Sequence, residues 1–171
     1  MGTIKYSHEG DFELIENKLV AVLGSINASE RNRPVQELPL IVDTGAFITL
    51  INKDTAENHG YKIDNNKTII ITGFSEKGMI CDLRKIPALV FCGFVIQDVL
   101  IATPQSHEVK VPEVLGMNIL ENFNFAFDMD EHLIYLNKRG EFVSDKPHYK
   151  SGEVVLLEED KLWSTDKWTC P

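Results

Sequence analysis

The chain has 171 residues, 43% hydrophobic and 25% charged, with a formal charge of −9. That length suits one domain able to bury an ordinary core. The acidic balance, with no run of Lys and Arg to track phosphates, excludes a nucleic-acid partner, and no apolar run approaches membrane-spanning length, so no membrane partner is expected.

Three cysteines (Cys81, Cys92, Cys170) form no Cys-x-x-Cys pair, and the five histidines add no zinc spacing. No metal and no cofactor is expected. The first ten residues are polar, unlike a secretory leader, and Tyr6 stands where myristoylation requires Ser or Thr. A cytoplasmic protein with reduced thiols follows.

Residues 1–17 are polar and mixed, an N-terminal arm or an edge strand. Lys18 to Ile26 is β-branched enough for a strand, and the charged stretch 27–37, with Pro34, reads as an exposed loop. Leu38 to Val42 is a strand that delivers Asp43 into a turn, and the apolar run Phe47 to Ile51 carries the chain out. Asn52 is placed to cap a short helix over 53–59 that Gly60 stops. Thr68 to Thr72 and Met79 to Leu83 are the arms of a hairpin whose tip is Gly73, Phe74, Ser75, Glu76, Lys77 and Gly78. Two further strands, 86–92 and 94–102, flank Gly93. Asn118, with Glu121 three residues on, reads as the cap of a second short helix. Phe123, Phe125 and Phe127 alternate as core positions of a strand, and Asp128 and Asp130 flank the turn into Leu133 to Leu136. The tail holds one apolar run, 154–157, and Trp163 and Trp168. The sum is a mostly β domain of many short strands with one or two short helices.

The stretch Ile41-Val42-Asp43-Thr44-Gly45-Ala46 carries the chemistry. A carboxylate at the end of a buried strand is costly unless its charge is hydrogen-bonded or used. Gly45 lets the backbone fold close to it, and the Thr44 hydroxyl can tie it down. The bland alternative is an ordinary Asp/Gly turn.

Together, the segment Leu-Pro-Leu-Ile-Val-Asp-Thr-Gly-Ala-Phe-Ile-Thr-Leu-Ile and the downstream Val-Leu-Gly-Met-Asn-Ile-Leu resemble the retropepsins, the retroviral-type aspartic proteases and their cellular and bacterial relatives. The resemblance covers 18–136 and implies a single-lobe acid-protease β-barrel, with 137–171 a C-terminal extension packed on the domain or on a dimer interface. It implies an aspartic endopeptidase acting on polypeptide substrates. Peptide hydrolysis without a nucleophilic side chain needs two carboxyl groups about 3 Å apart sharing one proton. Only one Asp-Thr-Gly occurs here, so the second carboxyl must come from another copy, and a homodimer with Asp43 on its two-fold axis is expected. By the same resemblance Thr44 clasps its counterpart across that axis, and Gly45 bonds substrate or carboxylate. Ala46, Phe47 and Ile48 line the cleft, Gly73 to Gly78 form a flap, and Gly116 and Asn118 brace the catalytic loop.

Two departures stand out. Retroviral enzymes carry an acidic residue after the Ala and an Arg after the second-motif Gly, whereas this chain has Phe47 and Met117; an apolar contact between them is the expected substitute. The flap tip also lacks the family's run of glycines. The alternative reading is a retropepsin-fold module that dimerises or binds peptides without cleaving them. A third is an unrelated small β-barrel in which the turn is coincidental.

Overall fold

The computed structural model describes residues 6–26, 35–73, 77–139 and 156–158. Residues 27–34 of the loop expected at 27–37, the tip residues Phe74, Ser75 and Glu76, and the tail tryptophans Trp163 and Trp168 lie outside these, whereas Gln36 and Glu37, expected in that loop, already belong to a strand.

The chain opens with a hairpin of β1 (His8–Ile15) and β2 (Lys18–Ile26). Its two-residue turn, Glu16 and Asn17, has φ of 50° and 62°, the left-handed pair that matches strand twist. The segment expected as an arm or edge strand is therefore a link in the sheet. Its first half pairs with the distant β9 (Leu133–Lys138) and its second with β2. One inward aromatic, Phe12, 3% exposed, anchors it; the polar residues around Phe12 hide that anchor in the sequence.

Strand β3 (Gln36–Val42) runs antiparallel to β2, and its last two residues pair in parallel with β7 (Val114–Leu115). A meander follows the short helix α1 (Lys53–Asn58): β4 (Lys62–Ile71), β5 (Met79–Phe91) and β6 (Phe94–Pro104). Two strands were expected where β5 runs unbroken, because Arg84 and Lys85 interrupt the apolar pattern. Arg84 is instead buried with its donors used: Nε to Thr103 Oγ1 at 3.1 Å, one terminal nitrogen to the Tyr61 carbonyl at 2.8 Å, the other to Glu57 Oε1 at 3.2 Å. A buried charge so bonded can stay inside a strand.

After β7 come α2 (Met117–Leu120), β8 (Phe123–Asp128) and β9, the last two forming a hairpin whose turn is closed by Asp128 Oδ1 accepting from the Asp130 and Glu131 amides. Residues Leu156–Glu158 form β10 along the start of β6. The strands follow a path β10-β6-β5-β2-β1-β9-β8, with β3, β4 and β7 joined to its side. Of its three apolar clusters among the described residues, two bear on the site. The larger includes Leu23, Leu40, Phe91, Leu115 and Phe123, with Phe125 and Phe127 packed against it. The smaller, around Leu50, Ile71, Cys81, Ala102 and Val114, lies beneath the Asp43 turn, with Ala46 and Ile48 against it. No helix among the described residues is long and apolar enough to cross a membrane.

Candidate active site

Strand β3 brings Asp43 to the surface with β7 alongside: Ile41 N–H donates to Glu113 O at 2.9 Å and Asp43 N–H to Leu115 O at 3.1 Å. The turn then closes on the carboxylate. Gly45 N–H donates to Asp43 Oδ1 at 2.8 Å, and Ala46 N–H to Asp43 O at 3.3 Å. The tie comes from the Gly45 amide, whereas Thr44, expected to supply it, is exposed. Asp43 itself is half-buried.

The chain leaving the turn is clamped to α2. Met117 N–H donates to Ala46 O at 2.7 Å and Asn118 N–H to Phe47 O at 3.2 Å. Beneath them Thr49, fully buried, is the centre of a closed network. Its hydroxyl donates to Asn118 Oδ1 at 2.9 Å and accepts from Gly116 N–H at 3.0 Å; its own N–H reaches the same Asn118 oxygen at 2.8 Å. The Asn118 amide nitrogen then donates to Leu100 O at 2.8 Å. Each buried polar atom here has a partner, which turns a costly polar core into a rigid one. Gly116 fits because a Cβ there would stand 2.5 Å from the Ile48 carbonyl carbon and 2.7 Å from Thr49 N.

Two expectations are corrected. Asn118 does not cap α2: Gly116 occupies the cap position, without a side-chain bond, because the Asn118 amide is spent on Thr49 and Leu100. Asn52 likewise makes no capping bond for α1; its side chain pairs with both main-chain groups of Val111, at 2.9 Å each. The anticipated contact of Phe47 with Met117 takes another form. Met117 packs against the larger core, Phe47 is 62% exposed, and main-chain bonds link the two segments. Thr49 was not singled out in the sequence; a β-branched hydroxyl inside the apolar run Phe47 to Ile51 was the available signal.

A cleft of about 320 Å³ opens over this turn, lined by Asp43, Gly45, Ala46, Phe47, Ile48, Leu50 and Val114 on one side and Ile71, Thr72 and Gly73 on the other. The second wall is the β4–β5 hairpin, paired up to Ile71↔Met79. Gly73 and Gly78 stand at the two ends of its tip with φ of 112° and 74°, a backbone that side chains resist. Lys77 is exposed beside them. Asp43 is the one carboxylate among the described residues of the lining.

Other titratable groups lie away from the cleft. Asp54 on α1 meets Lys110 and His107, and these hold its carboxyl below the ordinary 3.8. His59 Nδ1 lies 3.1 Å from Ser25 Oγ and 2.9 Å from the Tyr61 hydroxyl; burial pushes the imidazole below its ordinary 6.5. Burial also pushes the Cys81 thiol up to about 11 and Cys92 up to about 12, which leaves both unreactive at neutral pH. No group of three or more metal-ligating side chains occurs among the described residues.

Comparison with known proteins places these features in context. The family described as "gag-polyprotein putative aspartyl protease" matches residues 32–122, from the approach to β3 through α2. Among solved structures, the chain is similar to a retropepsin-like aspartic protease from Rickettsia conorii, with a TM-score of 0.53 and 18% identity over 81% of this chain and 96% of that one. At that identity the likeness concerns the fold. No curated protein matches by sequence.

Proposed function

This chain belongs to the gag-polyprotein aspartyl protease family, with a retropepsin-like fold, and from that premise we propose that it is an aspartic endopeptidase assembled as a homodimer. The observation that carries the reading is a half-exposed carboxylate on a turn bonded from both sides, at the floor of a cleft walled by a hairpin. One such carboxylate cannot both activate water and polarise a carbonyl. Two of them, Asp43 from each copy, share one proton: the ionised member takes a proton from water while the protonated one hydrogen-bonds the scissile carbonyl. Attack by the water oxygen gives a tetrahedral intermediate, which collapses as the leaving amine takes up a proton.

In this reading Thr44, exposed beside Asp43, clasps its counterpart across the axis, and Gly45 fixes the carboxylate. The floor (Ala46, Phe47, Ile48) holds substrate, and residues 73–78 close over it to exclude water. Gly116 and Asn118 hold the turn in register. Ala46 offers no hydroxyl to stabilise charge on the dyad, so activity belongs at mildly acidic pH; an optimum below about pH 3 would contradict this. We place the enzyme in the cytoplasm.

Incubation with a mixed peptide library, beside the Asp43→Asn variant, tests the reading. Cleavage by the parent should fall by about 10⁴-fold in the variant, and specific activity should rise with protein concentration as dimers form. Equal cleavage by both proteins, or none by either, overturns the peptidase assignment; concentration-independent activity overturns the shared dyad.

A further inference from the structure

Asn52 forgoes the role that its position offers. It stands just before α1 with an extended backbone, φ −61° and ψ 148°, and its side chain makes no capping bond. Its carbonyl nevertheless starts the helix, accepting from Ala56 N–H at 3.0 Å. A side chain of this type at a helix start ordinarily takes up one of the free amides there. Here it reaches across the fold: Nδ2 donates to Val111 O and Oδ1 accepts from Val111 N–H, both at 2.9 Å. Its own N–H donates to Glu113 Oε1 at 3.0 Å. One residue thus holds both ends of Val111-Pro112-Glu113, whose middle residue has a fixed φ and no N–H to bond.

Those ties lead to the carboxylate in two steps. Val114 exchanges main-chain bonds with Leu50 at 2.9 and 3.1 Å, while Glu113 O accepts from Ile41 N–H and Leu115 O from Asp43 N–H. Residues 111–115 are therefore a rail between 50–52 on one side and 41–43 on the other. Further ties of this segment to α1 run from Lys53 Nζ to Gln105 O and from Asp54 to His107 and Lys110. Those are exposed, a class of contact worth little. Val111 is 8% exposed, and water replaces a lost partner poorly there.

We propose that Asn52 is a positioning residue for Asp43: it fixes β7 against the end of β3, and through β7 the place of the carboxylate on its turn. This rests on the peptidase reading and deepens it. Asn52 lies outside the cleft lining, so it acts only through the segment it holds. The floor beyond the turn hangs from α2 instead, by Ala46 O and Phe47 O. A slip of β7 therefore moves the reacting group more than the apolar surface that receives substrate. A small displacement of a reacting group is enough to lower turnover steeply, while substrate binding changes little.

The test begins with Asn52→Ser, which keeps a neutral residue that caps helices and removes both bonds to Val111. On a peptide that the parent cleaves, kcat should fall by about 10- to 100-fold and KM should change by less than about 3-fold. Glu113→Gln keeps an oxygen for the Asn52 amide and should hold kcat within about 2-fold, whereas Glu113→Ala should lose about 10-fold. Phe12→Leu, which weakens the larger core from β1, serves as the stability control and should leave kcat unchanged at a temperature where every variant is folded. Amide hydrogen exchange supplies a readout that needs no cleavage. In Asn52→Ser the amides of Ile41, Asp43 and Val114 should exchange at least about 10-fold faster, with those of the β8–β9 hairpin unchanged. A kcat loss no larger than that of Phe12→Leu, or exchange that rises evenly over the sheet, overturns the inference. If the parent cleaves nothing, the peptidase reading falls and exchange alone decides. A rise confined to the β3 and β7 amides then upholds the positioning of the turn by Asn52, and an even rise or none overturns it.

Discussion

The two walls of the cleft are built in opposite ways. From Asp43 to Thr49 the floor is tied at nearly every residue, by β7, by the α2 amides and by the Thr49–Asn118–Gly116 network. Among the described residues of the hairpin opposite, the pairing is looser. Strand β4 pairs with β5 alone and shifts register between Ile63 and Thr68, where Asn65 and Asn66 both take positive φ. The ladder of β5 with β6 starts only at Cys81, and Ile70 and Ile80 face solvent as a cross-strand pair. A group that reacts must be held to a fraction of an ångström by its neighbours, whereas a wall that admits a polypeptide gains from few commitments. Under the proposed function, bond density among the described residues follows the chemistry.

That contrast can be broken at its strongest point first. Gly116→Ala would force a Cβ against the Ile48 and Thr49 main chain, which cannot yield as a side chain can. We expect a loss of about 3 kcal/mol or more in chemical denaturation; a loss below about 1 kcal/mol would show that the floor is softer than its bonds imply. Thr49→Val keeps the shape but leaves Gly116 N–H without its acceptor and removes a donor from Asn118. It should cost about 1–3 kcal/mol, with a drop in activity that the same loss of stability elsewhere does not produce. On the hairpin, Gly78→Ala meets a positive φ and the Ile70 side chain, for about 1 kcal/mol, and the effect on catalysis should exceed the effect on stability.

The smallest effect is a pH slope. Burial holds the folded His59 below its ordinary 6.5, so the unfolded chain binds the proton more readily. Its contribution to stability is complete above about pH 6.5 and is lost as pH falls toward the lowered folded value. Denaturation midpoints should decline over that interval, and His59→Gln should flatten the decline. A midpoint that rises on acidification would contradict the sign.

Much of the fold was legible because its signals are local. Alternation marked β8, turn residues marked the hairpins at Cys92-Gly93 and at 73–78, and Asp-Thr-Gly marked the turn at the candidate cleft. The rest failed where distant residues decide. Arg84 breaks a strand pattern in the sequence and completes a strand in space, since its partners Tyr61, Glu57 and Thr103 come from other elements. Asn118 has the spacing of a helix cap, yet Thr49, across the fold, claims its oxygen. Phe12 sits among polar residues that conceal an interior strand, because its reason to be buried lies in His132 and Phe127, over which its ring packs.

One feature at the far side of the sheet bears on handling the protein. The outer border of β6 is covered piecemeal: β10 at Phe94 to Ile96, the Asn118 amide at Leu100, and Thr49 and Ile51 at Ala102. Only the first of these covers comes from beyond residue 139. A product truncated there would keep the complete cleft but bare a short row of amides and carbonyls beside Val95 and Ile96, the kind of template on which other chains stack. Shortened versions should therefore be judged by their tendency to precipitate before they are judged by their catalysis.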